Sequence, residues 1–282
     1  MSSAIGIDHV TQTFPDRSTG GEFVALDDVT LDIPAGQSLT LVGPSGCGKS
    51  TLLDLVAGLT RPTHGEVTVG GRTVDGPGLD RGVVFQQYAL FPWRTAQSNI
   101  EFGLEEKRIP RKERAERARE MLELVGLSAF ADRYPRELSG GMKQRVAIAR
   151  SLAYEPAVLL MDEPYAALDA QTREALQDDL LDIWRRTGTT ILFITHAIDE
   201  AVYLGQRVAV MTARPGRIKQ IVDIQSDVES DVESDIGSGR RGSAGDRRST
   251  PEFVEQRHRI WQLLQDEVTH SHRTVVSTGG RS

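Results

Sequence analysis

The stretch Gly43-Pro44-Ser45-Gly46-Cys47-Gly48-Lys49-Ser50 constrains this chain more than any other. It fits the pattern G-x-x-x-x-G-K-[ST]. Ser38 to Val42, just before it, reads as a short buried strand, and Thr51 to Val56, just after it, opens a helix. A loop between a strand and a helix N-terminus must turn sharply and present its N–H groups together. Gly43, Gly46 and Gly48 let the backbone curl so that several N–H groups point at one anion. The helix end adds partial positive charge. Lys49 is placed to reach the outer phosphates of a nucleotide, and the Ser50 hydroxyl to ligate Mg²⁺. The bland alternative, a glycine-rich turn with a stray lysine, leaves the strand–loop–helix context unexplained.

The chain has 282 residues, 39% of them hydrophobic and 26% charged, which suits one large globular domain or two. The net charge of −7 argues against a nucleic-acid-binding surface. Cys47 is the only cysteine, so no internal disulfide forms and a reducing compartment fits. Within the loop it reads as a small tolerated side chain rather than a redox device. No N-terminal signal stretch stands out. Apolar runs such as Ala157 to Met161 fall far below the roughly 18–20 residues that span a bilayer. The expectation is a soluble, cytoplasmic protein whose membrane role, if any, comes through a partner.

Residues 5 to 33 alternate short β-like runs, Ile5 to Val10 and Val29 to Ile33, with a turn-rich stretch from Pro15 to Gly21. An antiparallel hairpin region beside the nucleotide loop is predicted. Phe14 is a candidate to stack on an adenine ring through its π face, though an isolated aromatic is more often core. Gly82 to Gln86 reads as a buried strand, which puts Gln86 at the ligand-binding edge of an α/β sheet. The segment from Gln87 to Trp93 that follows is read either as core or as an apolar patch that receives another protein. Residues 111–125 form a helix whose opposite charges lie three and four apart, a solvated face rather than a nucleic-acid patch.

Ser139, Gly140 and Gly141 precede a helix that runs from Val146 to about Tyr154. Two glycines and a hydroxyl there make a second anion-binding edge, or simply a helix cap. Val158 to Met161 is apolar on both faces, as a buried parallel strand is, and ends in Asp162 and Glu163. Asp162 is placed to hold Mg²⁺ beside the phosphates, and Glu163 to accept a proton from an attacking water. Asp169 is a good N-cap for a helix from Ala170 to about Thr187. Thr189 to Thr195 is another buried strand, and it delivers His196 to the same edge as a candidate γ-phosphate contact. Residues 226–250 are low-complexity, acidic then basic, and predicted to be disordered. From Pro251 a short amphipathic helix is expected, with Phe253, Ile260, Trp261, Leu264 and Val268 on one stripe that docks on the body or on a second copy.

These residues together resemble the ATP-binding cassette (ABC) ATPases over about residues 5–222. The phosphate loop (Walker A) is at 43–50, the glutamine loop at Gln86 and the signature Leu-Ser-Gly-Gly at 138–141. Walker B is at 158–163 and the histidine switch at His196. Residues 80–86, Leu90 to Trp93 and Thr212 to Gly216 look like importer subunits for nitrate, sulfonate, taurine and related solutes. Tyr165 and Ala166 stand where Phe-Gly is common, and Ala197 where Asp is common. Neither departure removes a catalytic group.

The resemblance implies an α/β fold: a P-loop NTPase with a RecA-like core, an antiparallel β subdomain and a helical subdomain at about 88–155. A linker (223–250) and a C-terminal helix and tail (251–282) follow. It implies a head-to-tail homodimer. ATP, with Mg²⁺, would sit between one copy's loop (Gly43, Pro44, Ser45, Gly46, Cys47, Gly48, Lys49, Ser50, Thr51) and the other's Ser139, Gly140 and Gly141. The catalytic candidates are Glu163, His196 and Gln86; the metal candidates are Ser50, Gln86 and Asp162. The implied partners are an integral membrane permease, received near Phe91 to Trp93, and indirectly a solute-binding protein. Nucleic acid is not among them. Rival readings are a cassette acting on DNA or ribosomes, which usually carries coiled coils or tandem cassettes, and an importer ATPase for sugars or polyamines, which often carries a β-rich C-terminal domain. A non-catalytic binding module fits poorly with Glu163 and His196 both present.

Overall fold

The computed structural model describes residues 2–16, 20–224 and 247–278, with backbone alone for 268–278. Of the linker expected at 223–250, residues 225–246 lie outside the described residues, as does the side chain of Val268; the expectation of disorder does not hold at its C-terminal end, where Arg247 and Arg248 pack on the Tyr203 ring. Two sheets make the frame. The first is antiparallel, in the order β2-β1-β4-β5. It is built from β1 (Ile5–Pro15), β2 (Glu22–Ile33), β4 (His64–Val69) and β5 (Arg72–Thr73). The hairpin strands run longer than the sequence runs suggest, because Phe14 and Phe23 still pair across the turn.

The second sheet has the order β10-β9-β3-β8-β7-β6. Its members are β3 (Ser38–Val42), β6 (Arg81–Val84), β7 (Val158–Asp162), β8 (Thr190–Ile194), β9 (Arg207–Met211) and β10 (Ile218–Asp223). All neighbouring pairs are parallel except β9 with β10. The central strands alternate between two cores. Leu159, Met161, Ile191 and Phe193 face one hydrophobic cluster; Val158, Leu160, Leu192 and Ile194 face the other. A strand buried on both sides has no polar face, which is why these segments read as unbroken apolar runs.

On one side of this sheet lie α1 (Lys49–Ala57) and the antiparallel sheet. On the other are α2 (Ala96–Glu106), α3 (Arg111–Leu124), α4 (Gly140–Leu152), α5 (Ala170–Thr187), α6 (Ile198–Leu204) and α7 (Pro251–Thr278). Asp169 caps α5 by accepting from the Thr172 N–H at 3.0 Å, and Gly188 closes it at φ 60°. The helix after the signature starts at Gly140, six residues earlier than its apolar pattern suggests, because Ser139 caps it.

Three expectations need correction. The strand before Gln86 stops at Val84, and Phe85 is 37% exposed. The C-terminal helix is not short: it spans 28 residues. Its packed stripe is Phe253, Ile260 and the partly buried Leu263 and Leu264, seated on the main core. Trp261 points away and stacks instead on His258.

Candidate functional site

A cavity of about 280 Å³ opens above the phosphate loop. Its floor is Ser45, Gly46 and the stretch Gly48 to Thr51; Phe14, Phe23 and Ala25 wall one end, and Glu163 and Arg214 complete it. The floor follows from backbone geometry. Gly48 caps α1 at φ 101°, a conformation that L side chains rarely adopt, and no side chain caps the helix. A β-carbon at Gly48 would also stand 2.6 Å from the Leu26 side chain. The first-turn N–H groups therefore have no capping side chain and face the cavity, where an anion can satisfy them. Lys49 is only 8% exposed. Its ammonium donates to the carbonyls of Gly43 at 2.8 Å and Pro44 at 3.0 Å, which holds one positive charge over the loop. Cys47 faces the core, and burial pushes its thiol pKa up. That is the setting of an inert cysteine.

The wall of the cavity is made by two aromatic rings. Phe14 and Phe23 sit opposite each other on β1 and β2 with centroids 5.7 Å apart. Such a pair offers a π face to a flat heterocycle.

The acidic side is set by sheet register. β7 and β8 are parallel neighbours, with Asp162 opposite Ile194. Glu163 follows directly beyond β7, and His196 comes two residues beyond β8. Glu163 holds φ 44°, an uncommon conformation for a residue with a side chain. Its N–H donates to the Ile194 carbonyl at 2.9 Å, and its Oε2 lies 3.0 Å from His196 Nδ1. Strain of this kind persists where the surroundings over-determine it.

Asp162 sits behind Glu163. Burial raises its carboxyl pKa and nearby Glu163 adds to the rise, while a hydrogen bond with the Ser50 side chain and the charge of Lys49 oppose it. Its Oδ1 is buried without a hydrogen-bond partner. Burial, and then the charge of Asp162, likewise raise the pKa of Asp54. A carboxylate with an unsatisfied buried oxygen, next to a serine hydroxyl at a phosphate loop, is a donor set for a hard oxygen-seeking dication. Ser50 and Asp162 therefore fit Mg²⁺.

Not every candidate converges here. Gln86 stands two residues beyond the end of β6, exposed in a turn, and does not line the cavity. Ser139 and Gly141 line a different cavity of about 350 Å³, together with Met142, Arg145, Gln171 and Thr172. Ser139 accepts from the Met142 N–H at 3.3 Å. Phe23 and Ala25 are not among the sequence candidates, and Arg214 is read from sequence only within the importer-like stretch Thr212 to Gly216, not as a site residue. The facing aromatics on either side of the hairpin turn were the signal for Phe23. Arg214 has no local signal, because a loop folding back from β9 carries it in.

Residues 26–166 match the family described as ABC transporter. This chain belongs to the ABC transporter family. As a member it is an ATP-binding ATPase. The nitrate import ATP-binding protein NrtD of Synechocystis is 55% identical over 204 residues, 72% of this chain and 77% of that protein. The taurine import ATP-binding protein TauB of Rhizobium johnstonii is 45% identical over 261 residues, 92% of this chain and 95% of that protein. Among solved structures, the dimeric post-hydrolysis state of the ATP-binding cassette MJ0796, bound to ADP and Pi, has a TM-score of 0.69 at 34% identity. It covers 79% of this ABC chain and 99% of the cassette.

Proposed function

We propose that this chain is the ATP-hydrolysing subunit of an importer for a small solute of the nitrate, sulfonate or taurine type, acting as a head-to-tail dimer on a separate permease. The observation that carries the catalytic part is that Glu163, which lines the phosphate-loop cavity, lies 3.0 Å from His196 Nδ1. The loop from Gly43 to Thr51 binds the phosphates, Phe14 with Phe23 the adenine. Glu163 takes a proton from the attacking water as its oxygen bonds the γ-phosphorus; the bond to the β,γ-bridging oxygen breaks, leaving ADP and phosphate. With Nδ1 turned to Glu163, the His196 Nε2 is the ring atom free to reach the γ-phosphate. Mg²⁺ held by Ser50 and Asp162 would supply charge neutralisation at the outer phosphates.

The cassette unit is residues 5–222, with residues 88–155 as its helical subdomain. Within it the two anion-facing edges line separate cavities. The Ser139 to Gly141 edge therefore serves the nucleotide of a second copy, in keeping with the dimeric state of the related cassette.

Among the described residues no helix is long and apolar enough to cross a membrane. The permease contact falls on the segment after Gln86. Trp93 is 72% exposed, and it packs on Phe91, which packs on Phe102. Arg150 donates to the carbonyls of Tyr88 and Ala89, both at positive φ, so the aromatic knob is presented on a braced loop. The names of the relatives, a nitrate import and a taurine import ATP-binding protein, support import; the cytoplasmic face and a solute-binding protein outside belong to the proposal. The test is mass spectrometry of what co-purifies with the tagged chain from detergent-solubilised membranes. A permease in matching amounts supports the importer; ribosomal or DNA-repair proteins with no membrane protein would overturn it.

A further inference from the structure

The loop after β9 folds onto the phosphate loop. Gly216 approaches it so closely that a β-carbon there would stand 1.9 Å from the Cys47 carbonyl. The same loop is pinned to β2: the Gly216 N–H donates to Ala25 O at 2.9 Å, the Asp27 N–H to Gly216 O at 3.0 Å, and Arg217 pairs with Asp27. Inside, Thr212 Oγ1 donates to Pro215 O at 3.0 Å and accepts from the Arg217 N–H at 2.9 Å. The product of this bracing is one side chain. Arg214 reaches back into the nucleotide cavity, its guanidinium 4.8 Å from the Phe23 centroid. A β-carbon at Gly46 would lie 3.8 Å from Arg214 Nη2. Its charge thus spans from the aromatic pair to the phosphate loop. No carboxylate pairs with it among the described residues.

The last described support of this loop comes from the far end of the chain. Ala213 donates its N–H to Glu267 Oε2 on α7 at 3.1 Å. Glu267 is 13% exposed, and its Oε1 lies 2.8 Å from Lys219 Nζ. Lys219 also donates to the Leu263 carbonyl at 2.9 Å. Phe253 and Ile260, both buried in the main core, fix the helix that carries Glu267. The C-terminal helix therefore holds, through one carboxylate, the residue next to Arg214.

We propose that Arg214 is a phosphate contact of the bound nucleotide, and that α7 sets its reach through Glu267, so that the C-terminal helix tunes ATP affinity. This rests on the reading of the cavity as the ATP site. An unpaired guanidinium beside an anion-binding loop gains a charge-assisted bond when a polyphosphate arrives. Its cation–π contact with Phe23 keeps it near the site beforehand. Glu267 is a positioning residue: it touches the loop, not the nucleotide.

The experiment is calorimetric titration of ATP and Mg²⁺ into the full chain carrying Glu163→Gln. Added Arg214→Ala is expected to weaken binding about tenfold, a typical loss for one charge-assisted contact, and Arg214→Lys to recover most of it. Glu267→Ala is expected to weaken binding about threefold, while Glu267→Gln, which keeps an acceptor for Ala213, recovers affinity. In the Arg214→Ala background Glu267→Ala should then cost nothing more. Unchanged affinity in Arg214→Ala, or additive losses in the double variant, would overturn the inference. Lys49→Ala separates the two readings: if it too leaves affinity unchanged, the cavity is not the ATP site; if it alone weakens binding, only the role of Arg214 fails.

Discussion

The chain carries two helix N-termini suited to anions, and they solve the same problem in opposite ways. At α1 the cap is Gly48, at φ 101°, with no side chain to satisfy the first-turn N–H groups. At α4 the cap is Ser139, in extended backbone, and its hydroxyl already accepts from Met142. Gly141 there is small for a packing reason: a β-carbon would stand 2.6 Å from the Thr172 methyl carbon. The first end is incomplete without an external anion. The second already has a side-chain cap and lines a separate cavity of about 350 Å³. On the proposed function, one is a site and the other the complement of a site. This asymmetry suits an arrangement in which nucleotide binds first to the α1 edge and the α4 edge of a second copy closes on it.

The contrast can be broken most severely at the α1 edge. Glu163→Gln keeps the shape and removes the base, so ATP turnover should fall by about 10²–10⁴-fold with ATP affinity retained. Robust turnover by phosphate release assay would refute the assignment. Lys49→Ala should instead lose affinity and turnover together. At the α4 edge, Ser139→Arg should abolish ATP-driven pairing of the Glu163→Gln protein, measured by light scattering, and lower the monomer's melting temperature no further than Ser139→Ala does, since both remove the same cap. Normal dimers would remove the α4 edge from the nucleotide interface.

A smaller effect concerns Asp162. Burial raises its carboxyl pKa in the folded chain, so the folded state holds that proton more tightly than the unfolded one. Stability is then lost as pH rises from the ordinary carboxylate value through the raised one. Asp162→Asn removes this loss. It should melt higher than the parent at neutral pH in metal-free buffer, with the gap closing below about pH 4, where the parent's carboxyl is neutral as well. The stabilisation that Mg²⁺ adds to that of ATP alone should shrink in this variant. A lower melting temperature at neutral pH would show that the carboxylate is structurally required. Smallest of all, Ser139→Ala should cost about 1 kcal/mol of stability by chemical denaturation, the usual worth of a helix cap. Gly48 offers no equivalent loss, because no side chain caps α1.

What was legible in the sequence was local. The phosphate loop, the two-faced strand ending in Asp162 and the Asp169 cap each state their geometry within a few residues, because periodicity and capping are short-range rules. What was illegible depended on the tertiary arrangement. Arg214 enters the cavity only because Gly216 can press against Cys47, two segments far apart in the chain. Phe85 continues an apolar run, yet is exposed because the chain leaves the sheet after Val84. Trp261 satisfies the amphipathic stripe on paper, but Phe253 and Ile260 set the docked face and leave it outside. The strain at Glu163 had no sequence signal, since positive φ there is imposed by its place at the end of β7.

The Glu163–His196 contact has a further consequence. The two residues stand just past the ends of adjoining parallel strands, Glu163 one residue beyond β7 and His196 two beyond β8, so the spacing between strands, about 4.8 Å, sets how far apart their chains start. Side chains inside the cores can be exchanged for others of like size without disturbing this gauge. A slip of β8 by a single residue would exchange the two faces of that strand and move the His196 end of it one residue along β7. The backbone hydrogen bonds from Val158–Thr190 to Asp162–Ile194 thus work as a calibration. They make the alignment of the two groups an all-or-none property of the folded sheet.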